Sequence, residues 1–161
     1  MDMMRIGIGY DVHAFVVDRP LIMGGVTIPH TKGLLGHSDA DVLTHAIMDA
    51  LLGAVALGSI GDWFPDTDPQ YKNANSTVLL KTVCKAVQKQ GFRIGNVDTV
   101  IVAQEPVFKP HIQAIRESLA EAMAISVDTI GVKATTTEQL GFEGRSEGIA
   151  VHATALVAQY H

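Results

Sequence analysis

The stretch that decides the fold is Arg5-Ile6-Gly7-Ile8-Gly9-Tyr10-Asp11-Val12-His13, in which apolar side chains alternate with small or polar ones. Alternation with a period of two is typical of a half-buried β-strand. Asp11 and His13 are two residues apart and therefore project from the same face of this strand. The sequence thus predicts an N-terminal strand that presents a carboxylate and an imidazole side by side.

A second polar segment follows further along the chain and reads His37-Ser38-Asp39-Ala40-Asp41-Val42-Leu43-Thr44-His45. It opens a predicted helix over residues 39–57, on which Asp41, His45 and Asp49 recur every fourth residue and share one face. His45 can then face the strand. Asp49 lies one turn beyond it, where it either accepts the other ring N–H of His45 or packs as a buried polar residue.

Asp11, His13 and His45 are candidate ligands for a catalytic zinc ion. Two imidazole nitrogens and one carboxylate oxygen suit zinc, and three protein ligands leave the fourth tetrahedral position open for substrate. The alternative is that both histidines are ordinary polar residues at the ends of their elements. The metal site is favoured because two histidines and an aspartate share this strand-and-helix geometry.

The composition predicts one domain that assembles into an oligomer. A chain of 161 residues is long enough for one core. Hydrophobic residues make up 47% and charged residues 18%, and the mean hydropathy is +0.22, yet the apolar runs are too short to span a membrane. So much apolar surface predicts an oligomer. A net charge of −5 with 12 scattered Lys and Arg residues argues against a nucleic-acid groove.

The single cysteine and the N-terminus bear on the compartment. Cys84 excludes an intramolecular disulfide, and its apolar helical context indicates a core residue rather than a nucleophile. No secretory signal pattern precedes the first strand. Both features predict a cytoplasmic protein.

Strands and helices alternate through the rest of the chain. The predicted elements are a hairpin over residues 21–29 that turns at Gly24-Gly25, a helix over 76–90 that ends at Gly91, a strand over 94–104, a helix over 110–123, and strands over 130–134 and 149–160. The intermixed order predicts a single two-layer α+β domain over residues 1–161. We expect a mixed sheet with the helices packed on one face.

Two segments contain residues suited to binding a phosphate group or the Mg²⁺ ion that accompanies it. Ser38 is the predicted N-cap of the first helix, with Asp41 three residues later as an imperfect capping box. Free N–H groups at that helix end, together with His37, would attract a phosphate group. The run Thr135-Thr136-Thr137-Glu138 either reflects β-propensity or provides hydroxyls and a carboxylate for Mg²⁺.

These segments and several others resemble the 2-C-methyl-D-erythritol 2,4-cyclodiphosphate synthase family. The motifs that carry the resemblance are Asp11-Val12-His13, residues 37–42, His45-Ala46, residues 49–54, Phe64-Pro65-Asp66-Thr67-Asp68, residues 95–98, residues 133–138 and residues 144–150. The match extends from Arg5 to the last predicted strand. It implies a ferredoxin-like, chorismate-mutase-like homotrimer whose sheets surround an apolar channel, with each active site between adjacent subunits.

The resemblance also implies a reaction. The family belongs to the non-mevalonate, methylerythritol phosphate route to isoprenoids, and its members are phosphorus–oxygen lyases. They convert 4-diphosphocytidyl-2-C-methyl-D-erythritol 2-phosphate into the cyclic diphosphate and CMP. The 2-phosphate of the substrate attacks the β-phosphorus, so the protein needs neither a covalent nucleophile nor an activated water. Catalysis then rests on positioning and on charge stabilisation.

Residue roles follow from the same resemblance. Asp11, His13 and His45 hold zinc, and Glu138 holds Mg²⁺ or Mn²⁺ between the α- and β-phosphates. His37 and Thr136 stabilise the transition state. The remaining substrate-binding positions are Ser38 at a phosphate, Ser59 at the ribose, Phe64, Pro65, Asp66, Thr67 and Asp68 at the methylerythritol end, Ala103 to Lys109 with Thr135 and Thr136 around the cytidine, and Ile60, Gly61, Thr137, Phe142 and Arg145.

Two positions depart from the family pattern. Ser59 stands where the family usually has an aspartate that touches the nucleotide ribose, and Ser146 stands where glycine is frequent. A serine at position 59 can still form a hydrogen bond, but it has no charge. Ser146 puts the conformation of its loop in question. Neither departure touches the zinc ligands.

Two other classes of function compete with the synthase. A zinc-dependent phosphohydrolase would use the same ligands but would make water the nucleophile, and no evident general base accompanies them. A non-enzymatic trimer would bind an isoprenoid diphosphate, with the tail in the apolar channel and the diphosphate on Arg145. Such binding is also compatible with catalysis. The alternative for Arg145 is a simple ion pair with Glu147.

Overall fold

A computed structural model describes residues 3–160 of the chain. The strands are β1 (Met4–Val16), β2 (Leu21–Met23), β3 (Val26–Ile28), β4 (Gly33–Leu34), β5 (Phe92–Val102), β6 (Ile130–Thr135) and β7 (Gly148–Gln159). The helices are α1 (Val42–Ala54), α2 (Ile60–Trp63), α3 (Ser76–Lys89), α4 (Ile112–Met123) and α5 (Gly141–Gly144). Short 3₁₀ helices lie at Pro69–Tyr71, Lys109–His111 and Val127–Thr129.

Five strands form one mixed sheet in the order β4-β1-β7-β5-β6. Strand β7 lies between β1 and β5 and is antiparallel to both, whereas β5 and β6 are parallel. Helices α1, α3 and α4 contact the sheet strands and one another in a single layer. The predicted two-layer α+β domain with a mixed sheet is therefore confirmed.

Strand β1 has two very different faces. Gly7 and Gly9 lie against α1, and a Cβ atom added at Gly9 would lie only 1.9 Å from the carbonyl oxygen of Ala46. The apolar side chains point the other way, so that Ile6 is 74% and Ile8 75% exposed. The predicted alternation is confirmed, but the apolar face of the strand lies on the side of the sheet that the helices do not cover.

Helix α1 begins later than predicted, at Val42. Its N-cap is Asp41, whose side chain accepts a hydrogen bond from the Thr44 N–H at 3.0 Å. The fully buried carboxylate of Asp41 also accepts from the Gly24 and Gly25 N–H groups, at 2.9 and 2.7 Å. The prediction of Ser38 as the N-cap was therefore wrong, because Asp41 satisfies both the helix end and the hairpin turn.

The other predicted elements are found with small shifts at their ends. Gly24 and Gly25 form the hairpin turn between β2 and β3, with φ values of 59° and 78° that favour glycine. Helix α3 ends just before Gly91, which has φ 83° and is the expected C-terminal glycine. The third helix was predicted to begin at Pro110, but residues 109–111 form a 3₁₀ turn that leads into α4.

The core lies between the sheet and the helix layer. Leu43, Ile47 and Leu51 of α1 are fully buried there. Cys84 is also buried, and this burial raises the pKa of its thiol to about 12. The prediction that Cys84 is a core residue rather than a nucleophile is confirmed. Within residues 3–160 no helix has the length and apolarity needed to cross a membrane.

The contact between β1 and α1 predicts that Gly9→Ala is strongly destabilising. The new Cβ would overlap backbone atoms of Ala46 and Ala50, at 1.9 to 2.9 Å, and these atoms cannot rotate away. We expect a loss of roughly 1–3 kcal/mol or more in the free energy of unfolding. Urea unfolding followed by circular dichroism, at matched protein concentration, measures it.

Gly53→Ala is the matched control, because Gly53 lies in α1 and its added Cβ would meet no atom closer than 3.8 Å. Replacing a helical glycine by alanine should stabilise the protein by about 0.5–1 kcal/mol. Equal unfolding midpoints for the two variants would contradict the close contact between β1 and α1.

Candidate active site

Asp11, His13 and His45 converge at one point and are called here the metal triad. The Oδ2 atom of Asp11 lies 2.9 Å from Nε2 of His13 and 3.2 Å from Nδ1 of His45. The two ring nitrogens are 3.2 Å apart. One ligand atom from each residue thus lies within 4.8 Å of the others, a spacing that permits all three to bind one metal ion. The prediction that β1 and α1 bring these residues together is confirmed.

The orientation of His13 fits a metal ligand. Its Nδ1 atom lies 2.7 Å from the carbonyl oxygen of Leu35. A carbonyl only accepts, so Nδ1 must be the protonated nitrogen of this bond. In a neutral imidazole the lone pair is then on Nε2, which faces Asp11 and His45. This donor set of two imidazoles and one carboxylate fits a divalent metal of the zinc type.

The carboxylate of Asp11 interacts electrostatically with the rings of His13 and His45. Burial alone would raise the pKa of Asp11, but hydrogen bonds from His13 and His45 and their charges outweigh it and lower the pKa to about 2. Burial alone would lower the pKa of His13, but the Asp11 carboxylate and the Leu35 carbonyl outweigh it and raise the pKa above that of a free histidine. A metal ion that binds here therefore competes with a proton on His13.

The second nitrogen of His45 faces two hydroxyl groups. Nε2 lies 2.9 Å from Oγ of Ser76 and 3.1 Å from Oγ of Ser38. Sequence analysis did not single out Ser76, whose only local signal is its position at the start of α3. Asp49 instead accepts from the Ile60 N–H at 2.8 Å, so the interpretation of Asp49 as a packing residue is the one that the structure supports.

A cleft of about 370 Å³ opens beside the triad, and we call it the triad cleft. Its walls include predicted site residues: His13, His37, Ser38, His45, Ile60, Gly61, Phe64, Pro65 and Asp66. Sequence analysis missed the other four lining residues, Gly36, Met48, Tyr71 and Leu79. Tyr71 packs edge-on against Phe64 with ring centroids 5.4 Å apart.

Three further predicted residues stand around the triad cleft rather than in its wall. The Asp68 carbonyl accepts from His37 Nε2 at 3.1 Å and so orients that ring. Thr67 is exposed in the same loop. Ser59 caps α2, where its N–H donates to Asp62 Oδ2 at 3.0 Å and its hydroxyl lies 3.2 Å from the same oxygen.

A second cleft, of about 220 Å³, lies at the ends of β5 and β6, and we call it the loop cleft. It is lined by Ala103, Gln104, Pro106, Val107, Phe108, Lys109, Ala134, Thr135 and Thr136. Among the described residues, the two clefts have no lining residue in common. The residues predicted to bind cytidine thus lie at a cleft of their own.

The loop after β6 places Glu138 next to Thr136. The Glu138 N–H donates to Oγ1 of Thr136 at 3.2 Å, and both side chains are exposed. Thr137 is half-buried, and its hydroxyl donates to the Leu140 carbonyl. A single exposed carboxylate suits Mg²⁺ only when substrate phosphates supply further ligands.

Helix α5 and the segment after it contain the remaining predicted residues. Phe142 is half-buried in α5. Arg145 pairs with Glu147, with Nε 3.2 Å from Oε1, and both side chains stay more than half exposed. Ser146 has φ 55°, so the loop keeps a left-handed conformation that favours glycine, although serine occupies the position.

Comparisons with known proteins agree with this geometry. The YgbB family matches residues 4–158. A 2-C-methyl-D-erythritol 2,4-cyclodiphosphate synthase of Bacillus cereus is 59% identical over 155 residues, which cover 96% of this chain and 98% of that protein. A protein of the same name from Bacillus mycoides is 58% identical over the same shares.

Solved structures show the same fold. The bifunctional IspDF of Campylobacter jejuni matches with a TM-score of 0.96 and 45% identity, over 99% of this chain and 43% of that longer chain. The IspF of Plasmodium falciparum in complex with CDP matches with a TM-score of 0.88 and 32% identity, over 100% of this chain and 99% of that one.

The pairing of Asp11 with His13 predicts a change in protonation that needs no metal. In metal-free Asp11→Asn the carboxylate that raises the pKa of His13 is absent, so burial should dominate and the pKa should fall below its wild-type value. A pH titration of the His13 ring resonances by NMR measures it. Asp66→Asn, which alters the carboxylate that lines the triad cleft, should leave that pKa unchanged. An unchanged His13 pKa in Asp11→Asn would contradict the pairing.

Proposed function

The chain belongs to the YgbB family, and from this membership we propose that it converts 4-diphosphocytidyl-2-C-methyl-D-erythritol 2-phosphate into 2-C-methyl-D-erythritol 2,4-cyclodiphosphate and CMP. It is a lyase of isoprenoid biosynthesis by the methylerythritol phosphate pathway. The observation that carries this conclusion is the metal triad, which opens into a cleft beside His37 and Ser38.

The substrate supplies its own nucleophile in this reaction, so the protein has to orient phosphates and balance their charge. A zinc ion on the metal triad and an Mg²⁺ or Mn²⁺ ion on Glu138 would supply positive charge to the diphosphate. His37 lies at the cleft wall with its ring oriented by the Asp68 carbonyl, and it contacts the reacting phosphates in our proposal. Thr136 provides a hydroxyl next to Glu138 for the same purpose.

The walls of the triad cleft suit the methylerythritol end of the substrate. Phe64, Pro65 and Asp66 combine an apolar surface with a carboxylate that can accept from sugar hydroxyls. Ser38 then holds a phosphate through its hydroxyl. Because the Asp41 carboxylate caps α1 by accepting from the Thr44 N–H, we assign phosphate binding to side chains rather than to the end of that helix.

The loop cleft suits the cytidine, and we propose that it completes the triad cleft of a neighbouring subunit. Ala103 to Lys109, with Thr135 and Thr136, present backbone groups and short side chains there. We assign the ribose contact to Ser59 and to the carboxylate of Asp62, which accepts a hydrogen bond from the Ser59 N–H. Phe142 and Arg145 complete the site in the proposal.

A homotrimer follows from the exposed apolar face of the sheet. Ile6, Ile8 and Tyr10 form a row on the outer face of β1 and are 74%, 75% and 51% exposed in the single chain. Such a row calls for a protein partner in water. A three-fold assembly would bury it around a central channel and would bring the two kinds of cleft together.

The two alternatives have less support. A phosphohydrolase needs a base to activate water. Among the described residues that line the triad cleft, the histidine and carboxylate side chains are those of the metal ligands, of His37 and of the exposed Asp66. An isoprenoid diphosphate in the channel remains a separate proposal. It is supported by the exposed Arg145, whose loop joins the end of β1 through the hydrogen bond from the Phe15 N–H to the Glu147 carbonyl.

We also propose that the protein works in the cytoplasm, because its single cysteine is a buried free thiol.

The synthase assignment predicts different metal behaviour for two variants. His45→Ala should lose zinc and lower CMP release about a hundredfold or more, because two remaining ligands close the site poorly. Glu138→Gln should keep zinc and lose its activation by Mg²⁺ or Mn²⁺. Elemental analysis and CMP release from the cytidylylated substrate measure both, with ³¹P NMR to identify the product.

Full zinc occupancy in His45→Ala would contradict the ligand assignment, and an unchanged metal-activation curve in Glu138→Gln would contradict the second site. Solvent ¹⁸O distinguishes the alternative reaction, since a phosphohydrolase incorporates it into the product and the synthase does not.

The trimer proposal predicts that Ile8→Glu separates the subunits. Light scattering of the wild type should give about three times the 17.2 kDa chain mass, and the variant should approach the monomer mass and lose activity. Val78→Glu is the matched control, because Val78 is 55% exposed but lies on α3, in the helix layer. A trimeric, active Ile8→Glu would contradict the assignment of this face to the subunit interface, and an active wild-type monomer would exclude the shared site.

A further inference from the structure

A chain of polar groups extends from the metal triad into the protein behind His45. Nε2 of His45 lies 2.9 Å from Oγ of Ser76, and this hydroxyl donates to Oδ1 of Asp39 at 2.5 Å. Ser76 is fully buried and lies at the first position of α3. Asp39 precedes α1 in the loop that also carries His37 and Ser38.

The direction of the hydrogen bonds follows from the number of protons. An ionised carboxylate only accepts, so the one hydroxyl proton of Ser76 belongs to the bond with Asp39. The oxygen of Ser76 can then only accept from His45, which must carry a proton on Nε2. In a neutral imidazole this leaves the lone pair on Nδ1, the nitrogen that lies 3.2 Å from Asp11 Oδ2.

We propose that Ser76 and Asp39 are positioning residues that hold His45 as the Nε2–H tautomer and aim its Nδ1 lone pair at the metal. The inference rests on the proposed zinc site. It concerns two residues that touch neither the metal nor the substrate and act through His45. A hydrogen bond behind a histidine ligand fixes the ring and raises its basicity.

The position of Asp39 is itself held by backbone groups. Its Oδ2 accepts from the Ser76 N–H at 3.0 Å, and its Oδ1 accepts from the Asp41 N–H at 3.1 Å. The Asp39 N–H donates to the Ala74 carbonyl at 3.1 Å. The carboxylate therefore links the loop before α1 to the start of α3, and the Ser76 hydroxyl between them is out of contact with water.

Ser38 has a different part in this arrangement. Its Oγ lies 3.1 Å from His45 Nε2, slightly further than Ser76, and it accepts weakly from the Ala40 N–H at 3.3 Å. One N–H cannot point straight at two oxygens, and the shorter contact is with Ser76. The hydroxyl proton of Ser38 is then free to donate to a phosphate in the triad cleft.

Zinc affinity tests the proposal directly. Ser76→Ala should bind zinc about 10–100-fold more weakly than the wild type, in competition with a chromogenic chelator. Ser76→Thr keeps the hydroxyl and should recover most of that affinity. Asn75→Ala is the matched control: Asn75 caps the same helix by accepting from the Thr77 N–H, without touching His45. It should lower the melting temperature and leave zinc affinity unchanged.

A second measurement uses the wild type alone and does not depend on the folding of any variant. In the zinc-loaded protein, ¹H–¹⁵N spectra of the histidine rings should show His45 protonated at Nε2, with slow exchange against solvent. Where Ser76→Ala folds, the same signal should exchange faster, which a purely structural role of Ser76 would not cause.

The outcomes separate the inference from the zinc site itself. A wild type that binds zinc, together with Ser76→Ala within about twofold of it, would overturn the positioning role and leave the zinc ligands standing. A His45 protonated at Nδ1 in the zinc-loaded protein would do the same. A wild type that does not bind zinc would overturn both the metal assignment and the inference.

Discussion

Direct contact between the backbone of β1 and helix α1 is the constraint on which the rest of the structure depends. Gly7 and Gly9 have no side chains in the space between them, so the carbonyl oxygens of Ala46 and Ala50 come close to the strand. Because strand and helix lie this close, the side chain of His45 on α1 reaches Asp11 and His13, which follow Gly9 on β1. A side chain at either glycine would push α1 outward, and the three ligand atoms would no longer meet.

The same contact explains why the apolar residues of β1 lie outside. Since glycines occupy the helix-facing positions, the alternating pattern puts Ile6 and Ile8 on the opposite face of the sheet. In the proposed trimer other subunits would cover that face, and they would also bring together the two clefts between which the predicted site residues are divided. If the proposed trimer forms, assembly and catalysis are linked through one strand, with the metal triad on one face and the subunit contact on the other.

The two histidine ligands are oriented in different ways. His13 is held by the carbonyl of Leu35, a backbone group that substitution of the side chain does not remove. His45 is held by the side chain of Ser76, 31 residues away in sequence, and, through it, by the side chain of Asp39 in the loop before α1. The first arrangement depends on the path of the loop before α1. The second depends on how α3 packs against that loop. Because its groups are side chains, a single substitution can remove the hydrogen bond that orients His45.

Local patterns were sufficient for the long strands and helices, for the hairpin and for the metal triad, because a period of two, a period near four and a Gly-Gly turn depend on neighbouring residues. The tertiary structure decided the rest. Asp41 rather than Ser38 caps α1, because the β2–β3 turn offers Asp41 two further N–H groups that lie 16 and 17 residues away. Ser76 meets His45 across 31 residues, and only the packing of α3 against α1 brings them together. The alternating pattern of β1 predicted that the strand has two different faces. The face that meets the helices is the one with Gly7 and Gly9, because only a surface without side chains lets α1 come this close.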